Sequence, residues 1–208
     1  MTRCYSVRMR ARQTRIELPR LWLISDARND AVLEAALRRL PRGSGLIFRH
    51  YHLTQADRRD RFAVLARLAR RCGHVVVLSG TARQARRWGA DGAYGSPRDL
   101  AKGPALLRLA TAHSPRELSA ARRARADAVL LSPVFTTRSH PGGKVLGPLR
   151  VLLSARLTPL PVIALGGMNP RRARRLPGLG WAAIDGLRAS SVISEPPVIP
   201  AEAGIQPF

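Results

Sequence analysis

A chain of 208 residues, 45% of them hydrophobic, carries enough apolar side chain for one compact domain. No apolar run approaches the roughly 18 residues that a bilayer-spanning helix needs, so membrane insertion by a helix is not expected. The formal net charge of +23 brings nucleic acid into consideration, because a basic field attracts phosphate polyanions in a salt-dependent way.

The basic stretch up to about Arg20 lacks the apolar segment of a secretory signal. It reads as a disordered lead or an extended start, and residues 1–20 are set apart from the remainder of the chain. Cys4 and Cys72 lie far from any metal-ligand spacing and read as incidental free thiols, which suits a reducing cytoplasm.

From Leu21 onward, short β-like apolar runs alternate with Ala/Arg/Leu-rich amphipathic stretches. Strands are predicted at Leu21 to Ser25, Gly45 to His50, His74 to Ser79, Gly92 to Gly95, Leu107 to Ala112, Ala128 to Val134, Pro161 to Leu165 and Trp181 to Ile184. Asp30 is positioned to cap the helical run that ends near Leu40, and Thr54 opens the run from Asp57 to Arg71. Ser114-Pro115 puts proline at a first helical position, and Glu117, three residues after Ser114, completes a capping-box spacing. The arginines of these runs, such as Arg67, Arg70, Arg71, Arg83, Arg86 and Arg87, belong to solvated helix faces rather than to one patch.

Eight strands joined by seven crossovers predict an α/β fold of the (β/α)8 TIM-barrel kind, aldolase-type, over residues 21–188. A doubly wound open sheet is the alternative. Four prolines between Ser194 and Phe208 rule out a continuous eighth helix there, so that helix is expected to be truncated or absent. Residues 189–208 form an appended tail, in which Pro197 to Gln206 resembles peptides encoded by interspersed bacterial repeat DNA.

In a barrel the C-terminal strand ends share one mouth, and the polar residues there are the candidates for chemistry. Gly166 and Gly167 end an apolar strand before a helix start, a setting in which backbone N–H groups approach an anion closely, although a plain turn explains the same pair. The loop after the sixth strand, Phe135 to Lys144, brings Thr137 and Ser139 as phosphate donors and Arg138, His140 and Lys144 as cations. A mobile surface loop is the bland reading of that composition.

The segments Ser132-Pro133-Val134-Phe135-x-Thr137-x-Ser139 and Pro161-Val162-Ile163-Ala164-Leu165-Gly166-Gly167-Met168 resemble the thiamine phosphate synthase family and its thiazole tautomerase branch, and the similarity runs from about Leu21 to Arg188. The resemblance implies a thiazole phosphate held by Gly167 and by the backbone around Ile184, Asp185 and Gly186, with the Asp185 carboxylate turned away or capping a short helix. It places Arg49 on the arginine of a Gln-x-Arg-Glu-Lys pattern, where a guanidinium clamps pyrophosphate, but Ile47 and Tyr51 replace the glutamine and the lysine. An Asn-Asp pair falls on Ser79-Gly80, which leaves Asp99 as the one implied ligand of Mg²⁺ beside a substrate diphosphate. The family's phosphate-binding lysine becomes His140. Thr111 and His113 match a Ser-x-His pattern in which, in the tautomerase branch, the histidine shuttles a proton.

The resemblance implies two enzymatic activities. One is coupling of hydroxymethylpyrimidine pyrophosphate to thiazole phosphate with release of pyrophosphate, the transferase reading favoured here. The other is metal-free isomerisation of the thiazole. A non-catalytic thiazole phosphate binder is a third possibility, and the resemblance also implies a homo-oligomer. Non-specific binding of nucleic acid rests on charge alone; at 5% aromatic content few rings are available to stack on bases.

Overall fold

Eight short strands pair side by side until the last meets the first, and the sheet closes on itself. A computed structural model describes residues 17–137 and 144–187. Its strands are β1 Leu21–Ile24, β2 Gly45–Phe48, β3 Val75–Ser79, β4 Gly92–Gly95, β5 Leu107–Ala112, β6 Ala128–Leu131, β7 Val162–Leu165 and β8 Gly180–Ala183. All pairs are parallel and in sequence order, and β8 returns to β1 with Trp22 opposite Ala182, so the sheet is a closed barrel rather than the doubly wound alternative. The helices are α1 Leu33–Arg39, α2 Gln55–Arg71, α3 Ala82–Arg87, α4 Pro97–Leu100, α5 Pro115–Arg123, α6 Gly147–Arg156 and α7 Pro170–Ala173. Among the described residues no helix is long and apolar enough to cross a membrane.

Successive strand residues face opposite sides, and this divides the core in two. Trp22, Ile24, Ile47, Val77, Tyr94, Leu109, Leu130 and Ile163 fill the barrel interior. Their neighbours Leu23, Leu46, Phe48, Val76, Leu78, Ala110 and Val129 pack outward against Leu33, Leu37, Phe62, Leu65 and Leu118 of the helices. The indole of Trp22 is fully buried and its Nε1 donates to Pro19 O at 2.7 Å. Gly45, on the next strand, makes room for it, since a Cβ there would stand 2.2 Å from the ring.

Helix α2 shows how the outer layer is written. Thr54 caps it by accepting the Asp57 N–H, and Phe62, Leu65, Ala66 and Ala69 recur on one buried stripe. Full burial of a Phe or Leu of this kind contributes about 1.5–3 kcal/mol. The chain then leaves the helix through Gly73 at φ +78°, a left-handed position glycine takes without penalty. Arg67, Arg70, Arg71, Arg83, Arg86 and Arg87 lie on exposed faces, as the sequence indicates.

Some local expectations are corrected. Asp26, not Asp30, caps the first helical segment: it accepts the Arg28 N–H and exchanges bonds with Asn29 at the start of a 3₁₀ turn, Ala27–Val32, that precedes α1. β1 ends one residue earlier than its apolar pattern, so capping begins sooner. Ser114 does accept the Glu117 N–H, but the Glu117 carboxylate reaches past the cap to His113 N at 2.7 Å, so the reciprocal half of the box goes to the preceding residue. β6 stops at Leu131, because Pro133 has no N–H to continue the ladder. The tail, the site of an eighth helix, Cys4 and most of the N-terminal lead lie outside the described residues.

Candidate active site

Extending the inward row of each strand by one or two alternations predicts what the mouth contains. Beyond Ile24 comes Asp26, beyond Ile47 comes Arg49, beyond Leu109 come Thr111 and His113, and beyond Ile163 come Leu165 and Gly167. The mouth holds a cavity of about 840 Å³ lined by Arg49, Tyr94, His113, Thr137, Gly166, Gly167 and the backbone of Ile184 to Gly186. A second chamber of about 390 Å³ is lined by Thr111, Ser79, Thr81, Ser96 and Asp99. Arg49 and Tyr94 line both. Both volumes fall in or near the range of small-molecule sites.

The larger chamber is built by three loops packed backbone to backbone. Val134 N donates to Leu165 O at 2.9 Å and Phe135 N to Gly166 O at 3.1 Å, which fastens the β6 loop to the β7 loop. A Cβ on Gly167, at φ +62°, would stand 2.5 Å from Thr136 O, and one on Gly186 would stand 2.1 Å from Met168 O. Glycine is therefore required by close approach and not merely tolerated in a turn. Among the described residues the N–H groups of Gly167 and Gly186 donate to no protein acceptor, the condition for an anion to bind them. Asn169 caps α7, and Arg172 donates to Gly167 O at 2.5 Å while lying 4.8 Å from the centre of the Phe135 ring.

Charge in this chamber is predominantly positive: Arg28, Arg49, Lys144 and Arg172 all line it. The Asp185 carboxylate at its rim is paired: its Oδ2 lies 3.2 Å from Nη1 of Arg28. His113 is half exposed and holds the Glu117 carboxylate at 3.0 Å from Nδ1, which directs Nε2 away from that contact. Tyr94 is buried, and burial pushes its hydroxyl up to about 12, so it remains a proton donor at any working pH.

In the smaller chamber Asp99 is the one carboxylate among the described lining residues, and its Oδ2 accepts from Ser96 Oγ at 2.7 Å. Among the described residues no three His, Cys, Asp or Glu side chains cluster to hold a metal. A cage made by these residues alone is therefore not present. The donor set does fit a magnesium ion bound through one carboxylate and completed by oxygens of a phosphorylated ligand, the usual arrangement for that ion.

Sequence reasoning located Arg49, Thr111, His113, Thr137, Gly166, Gly167, Ile184, Asp185 and Gly186 at the mouth, and the structure brings them there, with Asp99 at the smaller chamber. Ser139 and His140 lie outside the described residues. Reasoning from motifs missed Tyr94, Arg28 and Arg172. Tyr94 was legible by alternation, as the one large inward side chain in Gly92-Ala93-Tyr94-Gly95; Arg28 and Arg172 leave no comparable signal, since each reaches the mouth from a helical turn.

The profile of a family described as thiamine monophosphate synthase matches residues 21–189. The chain belongs to this family. A thiamine biosynthesis bifunctional protein, ThiM/ThiE, of Symbiobacterium thermophilum is 32% identical over 171 residues, covering 78% of this chain. The chain spans 35% of that relative's length. Among solved structures, thiamine phosphate pyrophosphorylase from Pyrococcus furiosus superposes with a TM-score of 0.68 at 23% identity, covering 80% of this chain and 85% of that one. The YdjI aldolase from Escherichia coli K12 superposes at 0.57 with 9% identity, covering 78% and 73%. The barrel alone therefore does not select a chemistry; membership of the thiamine monophosphate synthase family rests on sequence, and the split mouth is what this member builds on the shared fold.

Proposed function

We propose that the chain is a thiamine-phosphate synthase, joining a pyrimidine pyrophosphate to a thiazole phosphate. The observation that carries this is the pair of chambers sharing Arg49 and Tyr94. A two-substrate transfer needs two anion-binding compartments that meet where the bond is made.

In this reading Gly167 and Gly186 hold the phosphomonoester through backbone N–H groups, with Arg172 and Lys144 supplying charge and Thr137 a hydroxyl. The pyrophosphate of the second substrate occupies the Thr111, Ser79 and Ser96 side. The thiazole nitrogen attacks the pyrimidine methylene carbon, the carbon–oxygen bond to pyrophosphate breaks, and the departing oxygens collect negative charge. Arg49 stands at that junction and stabilises the charge as it develops. Asp99 is the residue that would hold magnesium, whose part would be to neutralise the same diphosphate. Ser139 and His140 extend the phosphate contacts in the proposal. Incubation of purified protein with both substrates and Mg²⁺ tests the reading: thiamine phosphate should accumulate, and formation no faster than the enzyme-free control removes it.

A second reading is favoured by the His113–Glu117 contact. A carboxylate on Nδ1 fixes the tautomer of an imidazole and leaves Nε2 for proton transfer, which is what isomerisation of a thiazole precursor requires. Turnover of that precursor without metal, abolished in His113→Ala, would select this activity. Ligand affinity without either product would identify a thiazole phosphate binder. Any duplex binding by the +23 chain should vanish at physiological ionic strength.

A further inference from the structure

Arg49 is pinned through its main chain. Its N–H donates to Ser25 Oγ at 2.8 Å, and its carbonyl accepts from Arg58 Nε at 2.6 Å. The same Arg58 guanidinium donates to Ser79 O at 2.6 Å, so the ends of β2 and β3 are bridged by one cation. The next residue, His50, has φ +42°, an uncommon conformation for a side chain that is not glycine. The chain turns sharply just past Arg49, and something must hold it there.

What holds it lies behind the sheet. Alternation sends Arg49 inward and sends Ser25 and His50 outward, where both are fully buried and the imidazole stacks on Phe48 with centroids 4.6 Å apart. Ser25 Oγ lies 2.7 Å from His50 Nδ1, and His50 Nε2 lies 2.8 Å from Asp30 Oδ1. The arrangement orders every proton: Ser25 accepts from Arg49 and donates to Nδ1, and Nε2 donates to Asp30. Asp30 is held in turn by Arg61 at 2.7 and 2.8 Å, and Arg61 by Glu34 at 2.5 Å. The serine, histidine and carboxylate match a nucleophilic triad in connectivity, but Ser25 is sealed from solvent and its oxygen already accepts the Arg49 N–H. This chain of bonds positions rather than attacks.

The side chain of Arg49 is the complement of this rigid main chain. Its Nε is buried without a hydrogen-bond partner among the described residues, and its Nη2 reaches only to 4.0 Å from Asp26. The Arg49 side chain as a whole is 26% exposed and lines both chambers, so the guanidinium stands within reach of a phosphorylated ligand. We propose that Ser25 and His50 are positioning residues that preorganise Arg49, holding its guanidinium between the two chambers for an oxygen of the pyrophosphate group. The proposal rests on the reading of the smaller chamber as the pyrophosphate side.

Inorganic pyrophosphate is the probe, titrated into the full chain with the Arg49 Nε–H resonance observed. That resonance should shift on saturation; an unmoved signal in a protein that binds pyrophosphate overturns the proposal. Ser25→Ala should weaken pyrophosphate binding about tenfold, the scale of one charge-assisted bond, while thiazole phosphate binding changes less than about twofold. In an Arg49→Ala background the same substitution should cost nothing further. Additive losses, or equal losses for both ligands, would assign Ser25 a merely structural role. Ser25→Thr keeps the hydroxyl and should restore binding, and this variant with the wild-type titration decides the matter if Ser25→Ala does not fold. If pyrophosphate binding depends on Ser25 through Arg49 but no thiamine phosphate forms, the positioning stands and the synthase reading falls. Turnover that is indifferent to Ser25 gives the reverse.

Discussion

Arg28 and Asp185 clasp the seam of the barrel. The guanidinium follows β1, the carboxylate follows β8, and they meet at 3.2 Å beside the cradle formed by Gly167 and Gly186. Both side chains are about one third exposed, so the pair adds little to stability. Its effect is on the local field, because it masks a negative charge beside the proposed phosphate site.

Arg28→Ala should uncover that charge and weaken thiazole phosphate binding by about tenfold at low salt, with the difference shrinking as salt screens it. Asp185→Asn should bind at least as tightly as wild type. Calorimetric titration at two ionic strengths measures both; a weaker Asp185→Asn would show that the carboxylate contacts the ligand productively.

Gly167→Ala places a methyl carbon 2.5 Å from Thr136 O at a backbone angle of φ +62°. The loops must part to admit it, at a cost of about 1–3 kcal/mol. Thiazole phosphate affinity should fall at least about tenfold while pyrophosphate binding persists. Unchanged affinity would move the phosphate site away from this loop.

Asp99→Asn tests the metal. With one carboxylate among the described residues of the smaller chamber, the variant should need about tenfold more Mg²⁺ for half-maximal thiamine phosphate formation. A magnesium titration identical to that of wild type would exclude Asp99 as a ligand.

Acidification should lower the melting temperature in two stages. Burial holds the His50 imidazole below its ordinary 6.5, although the bond to Asp30 opposes this. The unfolded chain thus takes up that proton first, and stability declines once the pH drops below about 6.5. Burial raises the Asp30 carboxyl, but bonds with His50 and Arg61 outweigh it and leave the group below its ordinary 3.8. The Arg61 bond likewise holds Glu34 below 4.5. Stability from these carboxylates is complete above the unfolded values and is lost as the pH falls through the folded ones. His50→Gln should flatten the first stage; a melting temperature that rises from about pH 7 to about 5.5 would contradict the assignment.

Gly45→Ala should destabilise the barrel floor by about 1–3 kcal/mol through overpacking against Trp22, read as a lower denaturation midpoint. Combining it with Trp22→Phe, which shortens the offending ring, should recover part of the loss. No recovery would locate the damage in the backbone instead.

Short apolar runs alternating with amphipathic stretches, together with turn residues, determined the eight strands and their C-terminal ends, because such composition is a local property written every few residues; closure of the sheet was decided by tertiary structure. The glycine pair was legible as the turn that ends an apolar strand, and Arg49, Thr111 and His113 through family motifs at strand ends. Tertiary structure alone decided that Arg28 answers Asp185, that Arg172 reaches Gly167, and that Ser25, His50 and Asp30 form one line behind Arg49. Ser25 and His50 are 25 residues apart, and their bond exists only because β1 and β2 are adjacent in a closed sheet. Directional bonds between side chains on neighbouring strands depend on register and rotamer, which no local pattern encodes.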